Sequence, residues 1–213
     1  MMTKNKIITT LTLICVLPFF KAQQLSFKDK NFEKAVLENY DLNKDGAISP
    51  FEADGVENLF LANKGIASAE DLSYFKNAKM VILDENNIAK FSLKNMDKIQ
   101  LLSCAGSKVS VFTAENLKNL TSLYLDNNNL ENFSLKSTPK ITQLTLSLNK
   151  IKTIDVSALK YLKKLNLEHN QIQKLDISLN PNLESLNIMK NPIKEKDIKK
   201  GPAKVTIFGL DKP

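Results

Sequence analysis

The chain has 213 residues, 43% of them hydrophobic and 25% charged, with a net charge of +7. That apolar content suits a packed core and is too high for an intrinsically disordered chain, while two Cys exclude a disulfide-dense scaffold. All 30 basic residues are Lys, and without the planar fork of Arg the positive charge does not argue for phosphate or nucleic-acid recognition.

Lys4 and Lys6 precede an apolar run from Ile7 to Phe20, and Lys21-Ala22-Gln23 follows it. A basic start, a short apolar stretch and a small residue at its end predict a secretory signal peptide over residues 1–22. The run is shorter than the ~20 apolar residues of a membrane span. No later stretch approaches that length, so no membrane span is expected. Cys15 offers the rival reading of a lipid-modified N-terminus, but Leu13-Ile14 precede it where a small residue belongs. Cleavage removes Lys4, Lys6 and Lys21 and no acid, lowering the net charge to +4, and leaves Cys104 with no partner for a disulfide. The expected location is extracellular, at the cell surface or periplasmic.

Phe32, Ala35, Val36 and Tyr40 form an apolar stripe at helical spacing, which predicts a helix over 27–40. The segment after it, Asp41 to Glu52, fills the twelve-residue EF-hand pattern. Calcium takes six to eight hard oxygens. Asp41, Asn43 and Asp45 offer side-chain oxygens, Ala47 its carbonyl, Ser49 a hydroxyl, and Glu52 two carboxylate oxygens, while Gly46 permits the bend and Ile48 anchors the loop to a core. Three carboxylates so close repel one another unless a cation lies among them. An acidic turn that matches by chance is the competing reading. Gly55 limits the exit helix to a turn or two, so residues 23–55 are expected to form a helical cap that binds calcium.

From Val56 onward the chain repeats, and residues 56–213 are read as one repeat domain. The frame Leu120/Leu123/Leu125/Asn128/Leu130 returns at 21-residue steps as Ile141/Leu144/Leu146/Asn149/Ile151, Leu162/Leu165/Leu167/Asn170/Ile172 and Leu183/Leu186/Ile188/Asn191/Ile193. Backward it continues as Ile99/Leu102/Cys104/Ser107/Val109 and Ala78/Val81/Leu83/Asn86/Ile88, with a looser copy at Val56/Leu59/Leu61/Lys64/Ile66. A second apolar pair recurs within the unit, as Phe91/Leu93, Phe112/Ala114, Phe133/Leu135, Ile154/Val156 and Leu175/Ile177. This is a leucine-rich repeat. One unit cannot bury its own leucines, so stacked units share a continuous core and a parallel sheet, and both ends need covers. Lys204 to Leu210 is expected to be the closing strand.

The unit from Ile172 to Leu186 resembles the 21-residue repeats of bacterial internalin-like surface proteins, and Leu102-Ser-Cys104 resembles the subgroup with Cys in the strand. Asn31 to Glu52, with Lys64-Gly-Ile66 and Asp71-Leu72, is similar to EF-hand-like caps in that group. The resemblance spans roughly residues 27–210. It implies an α/β fold: a right-handed leucine-rich repeat solenoid with a concave parallel β-sheet, a small α-helical EF-hand-like N-terminal cap, and partner binding on the concave face. Only Cys104 occupies a Cys position, so a cysteine ladder is not expected.

Residues flanking the strand leucines point away from the core. Among them Phe60, Met80, Ile82, Leu101 and Tyr124 gather apolar surface in the N-terminal half, with Asp84 and Asp126 at its rim, and the later half reads as polar. This patch is the candidate docking surface for a protein or peptide. The competing reading has the cap or a long loop folded over Phe60, Met80 and Ile82. No catalytic constellation emerges. His169 is the only His, Cys104 replaces a core leucine, and no nucleophile elbow, zinc motif or phosphate-cradling loop occurs. The expected protein is a secreted, monomeric, non-enzymatic binding module with calcium in its cap. The alternative is a calcium-responsive regulator in which the ion switches partner affinity.

Overall fold

The computed structural model describes residues 23–210, so the segment read as a signal peptide lies outside the described residues. Helix α1 spans Lys30–Tyr40. It starts three residues later than the apolar stripe predicts because Asp29 takes the N-cap position, its carboxylate accepting from the amides of Asn31 and Phe32. The helix buries Phe32, Ala35 and Val36, and Phe27, left outside it, packs its ring 5.9 Å from that of Phe32. Helix α2, Pro50–Gly55, begins with a reciprocal capping box between Ser49 and Glu52 and with Pro50 in its first turn.

Each coil after the cap then contributes one three-residue strand: Asn58–Phe60, Met80–Ile82, Leu101–Ser103, Ser122–Tyr124, Gln143–Thr145, Lys164–Asn166, Ser185–Asn187 and Thr206–Phe208. These stack in sequence order into one eight-stranded parallel sheet. Leu59, Val81, Leu102, Leu123, Leu144, Leu165, Leu186 and Ile207 stand opposite one another across it. A one-residue slip would turn this whole row outward, so the leucine frame determines the register. The chain is a leucine-rich repeat right-handed solenoid with a parallel sheet and a small helical N-terminal part.

The turn asparagines stitch coil to coil. Asn149 accepts from the amide of Leu130 at 2.9 Å and donates to the carbonyls of Leu125 at 2.9 Å and Leu146 at 3.0 Å. Asn86, Asn128, Asn170 and Asn191 repeat the arrangement. These turns bury backbone groups that lie beyond the strand ladder, and each side-chain amide satisfies donor and acceptor together. Ser107 interrupts the series. Its hydroxyl accepts from the Asn86 amide at 3.1 Å but does not reach Ile88, whose amide meets no acceptor among the described residues.

The return pass differs along the chain. Lys90–Lys94, Val111–Glu115 and Asn132–Lys136 pair as a second, three-stranded parallel sheet. The apolar-pair pattern marked these positions without indicating strands. The buried rings of Phe91 and Phe112 meet edge-to-face at 5.4 Å, and Phe133 stacks on Phe112 at 5.7 Å. In the next two coils the carboxylates of Asp155 and Asp176 accept from the amides of Ser157 and Ser178, each at 2.9 Å. Such local side-chain turns compete with ladder pairing. Only Leu175–Asp176 and Ile198–Lys199 pair there.

Candidate functional sites in the cap and on the sheet

Five of the six residues read as calcium ligands lie in the loop that joins α1 to α2, and the sixth, Glu52, stands in the first turn of α2. Asp41 accepts from the amides of Asp45 and Gly46, at 3.3 and 3.0 Å. Asn43 accepts from the same Asp45 amide at 2.9 Å, and Asp45 accepts from the amide of Ala47 at 3.0 Å. Gly46 has φ +81°, which permits the bend without strain. Glu52, 4% exposed, reaches back across the loop: one oxygen accepts from Leu42 N at 2.9 Å and the other from Ser49 N and Oγ at 2.9 and 2.8 Å. These contacts, the Ser49 amide foremost, hold its carboxyl below the usual range.

Hard oxygens make up the whole donor set of this loop, which fits calcium in chemical type and in charge. Among the described residues no three His, Cys, Asp or Glu side chains are gathered as a metal cluster. Ile48 is buried, and its carbonyl accepts from Leu25 N at 2.8 Å, tying the chain before α1 to the loop.

Two carboxylates join the cap to the first coil: Asp29, which the sequence reading did not single out, and Asp71, which it placed only within the cap resemblance and without a contact. Asp71, 2% exposed, accepts from the amides of Lys28 and Asp29, the latter at 2.9 Å. Asp29 in turn accepts from Ala67 N at 2.7 Å and Ser68 N at 2.9 Å while capping α1. Burial pushes the Asp29 pKa up, but the surrounding amides outweigh it and leave the carboxyl below its ordinary value. Asp29 before an apolar stripe is a recognisable N-cap signal. Asp71 has none, because its partners lie more than forty residues away. Tyr40 adds a third link. Its hydroxyl donates to Asn58 O at 2.9 Å and accepts from Phe60 N at 3.1 Å, occupying the outer edge of the first strand.

On the sheet face, Phe60 is 54% exposed, so the cap meets the edge of its strand and does not lie over the ring. Met80, Ile82, Leu101 and Tyr124 are half-buried, with Phe60 beside Ile82 and Met80 beside Leu101. The two rim carboxylates are engaged by the following coil. Asp84 accepts from Ser103 Oγ at 2.6 Å and Ala105 N at 2.8 Å, and Asp126 accepts from Ser147 N at 2.7 Å and from the Thr145 hydroxyl. The later half of the face is less uniformly polar than its sequence reads, because Met189 and Phe208 are 41% and 49% exposed. His169 is exposed with φ +52°, and burial pushes the Cys104 thiol up to about 11, as for a small core hydrophobe.

The fold is that of a leucine-rich repeat solenoid and is similar to solved internalin domains. The solved structures it resembles include the functional domain of InlJ from Listeria monocytogenes, which includes a cysteine ladder, at 23% identity and a TM-score of 0.69, over 89% of this chain and 45% of that one. The chain thus spans under half of the InlJ domain. Internalin C2 of Listeria monocytogenes matches at 22% identity and a TM-score of 0.54, over 87% of this chain and all of that one. A chain of the LRIM1/APL1C complex matches at 19% identity and a TM-score of 0.55, over 74% of this chain and 36% of that one. At these identities the likeness is one of fold. No family model matches the sequence, and no curated protein matches it. Among the described residues no helix is long and apolar enough to cross a membrane.

Proposed function

We propose that the protein is an exported, non-enzymatic interaction module that docks a protein or peptide on its eight-stranded sheet and is stabilised by calcium in its cap. The observation that carries the docking reading is the apolar cluster formed on adjacent strands by exposed Phe60 and half-buried Met80, Ile82, Leu101 and Tyr124. Asp84 and Asp126 then act mainly by fixing the strand ends beneath a partner, since both already bond the next coil. The calcium reading rests on the donor set of the loop. Asp41, Asn43, Asp45, the Ala47 carbonyl, Ser49 and Glu52 would hold the ion, which would neutralise their charge; the loop follows Tyr40, so its order bears on the first strand.

Thermal melts with calcium and with chelator, beside pull-downs of the full chain and of the Ile82→Asp/Tyr124→Asp variant, test both halves of the reading. Calcium is expected to raise the melting temperature in a way that Asp45→Asn abolishes, and the double variant is expected to fold yet lose its partners. An identical melt with and without calcium would sink the ion, and an unchanged set of partners would sink the patch. The alternative, a calcium-responsive regulator, is favoured by the short path from Asp41 through Tyr40 to Asn58 and Phe60. It requires the affinity of the same partner to change with calcium in the folded protein.

A further inference from the structure

The other half of the sheet face has a distinct chemistry. Gln143, Thr145, Lys164, Asn166, Ser185, Asn187, Met189 and Phe208 line one shallow trough of about 410 Å³. Its polar groups are biased toward donors. The Asn166 side-chain oxygen accepts from Glu168 N at 3.1 Å, which turns the NH2 group away from that amide with no other partner among the described residues. Asn187 is tied in the same way to Met189 N at 3.1 Å. Thr145 spends its proton on Asp126. Glu168, the nearby acid, is engaged by the Asn187 amide at 3.0 Å, and Glu184 lies 3.3 Å from Lys163. The Lys164 ammonium, in contrast, meets no carboxylate and the Ser185 hydroxyl no hydrogen-bond partner among the described residues. One unpaired positive charge, one NH2 free of Glu168 N and one open hydroxyl therefore line the trough, with the half-exposed Met189 and Phe208 forming its apolar end.

We propose that this trough is a second docking site, for an extended acidic peptide that also carries apolar side chains. A carboxylate accepts from Lys164, Asn166 and Ser185 together, and a leucine or phenylalanine one or two positions along covers Met189 and Phe208. A single ammonium flanked by neutral donors suits a singly charged carboxylate, whereas densely charged polyanions call for clustered cations or Arg forks. The surface adjoins the Phe60 cluster where Thr145 pairs with Tyr124 and runs from there to the last strand, and its donor chemistry does not rest on the reading of that cluster.

Fluorescence anisotropy tests it with the full chain and two labelled probes, Glu-Leu-Asp-Phe-Glu-Leu and its neutral counterpart Gln-Leu-Asn-Phe-Gln-Leu. The acidic probe is expected to bind at least about tenfold tighter than the neutral one, with affinity falling as salt rises. Lys164→Glu should weaken it about tenfold or more. Asn166→Asp, which keeps an oxygen for Glu168 N while replacing the outward donor with an acceptor, should weaken it about threefold or more with an unchanged melting curve. The Ile82→Asp variant, changed three strands away from Thr145, should bind the acidic probe as the parent does, which separates this site from the N-terminal patch. Equal binding of the two probes, no binding at millimolar concentration, or indifference to both trough variants overturns the proposal. So does a heparin hexasaccharide that binds more tightly than the acidic peptide.

Discussion

The coils from Ala78 to Lys140 and those from Ile141 to Lys199 share one strand frame but solve the return pass differently. In the first group five-residue strands pair over a column of Phe91, Phe112 and Phe133. In the second the column continues with Ile154 and Leu175, Ile198 stands opposite Leu175, and Asp–Ser turns replace most of the pairing. The eight-stranded sheet runs through both without a break in register. The leucine row and the asparagine turns therefore suffice to stack the coils, and the far side is free to vary. The faces vary too, apolar in the first group and rich in donors beside Met189 and Phe208 in the second.

The largest effect that would sharpen this contrast comes from the Phe column. Phe112→Ala removes a fully buried ring held between two others and should cost about 4 kcal/mol. Ile154→Ala, the half-buried counterpart in the next group, should cost about 1 kcal/mol. Urea unfolding of the two variants measures the difference, and equal losses would mean that the halves are not packed differently.

Acid should act on the cap end before the far end. Asp29 has a folded pKa below its ordinary 3.8, so its contribution is complete above that value and is lost as pH falls through the lower folded value. Amide exchange in α1 is expected to accelerate over that window, and Asp29→Asn should flatten the dependence. Asp176, held at about 2 by Lys199 and Ser178, is exposed to water, and its titration should leave the C-terminal coils nearly unchanged.

The smallest effect is a gain. Ser107→Asn supplies the missing member of the asparagine series and an acceptor for the Ile88 amide, and it should raise stability by about 1 kcal/mol. A thermal melt reads the shift. No gain would show that the smaller Cys104 and Ser107 have let that coil settle into a turn that an amide no longer fits.

The 21-residue period, the inward row from Leu59 to Ile207 and the turn asparagines were legible in the sequence, because each unit must bury the same side chains against its neighbours. The loop from Asp41 to Glu52 was legible for a different reason: its ligand-type residues lie within twelve positions of one another. Three features needed the tertiary structure. The clasp of Asp29 and Asp71 joins residues more than forty positions apart. The return-pass strands depend on which side-chain turns win locally over ladder pairing. The trough beside Lys164 arises where Phe208, Met189 and the outward amide of Asn166 come together from successive coils. Periodicity determines what faces the core, since burial repeats with the coil. What gathers on the outer surface is decided by side chains that burial does not constrain and that therefore differ from coil to coil.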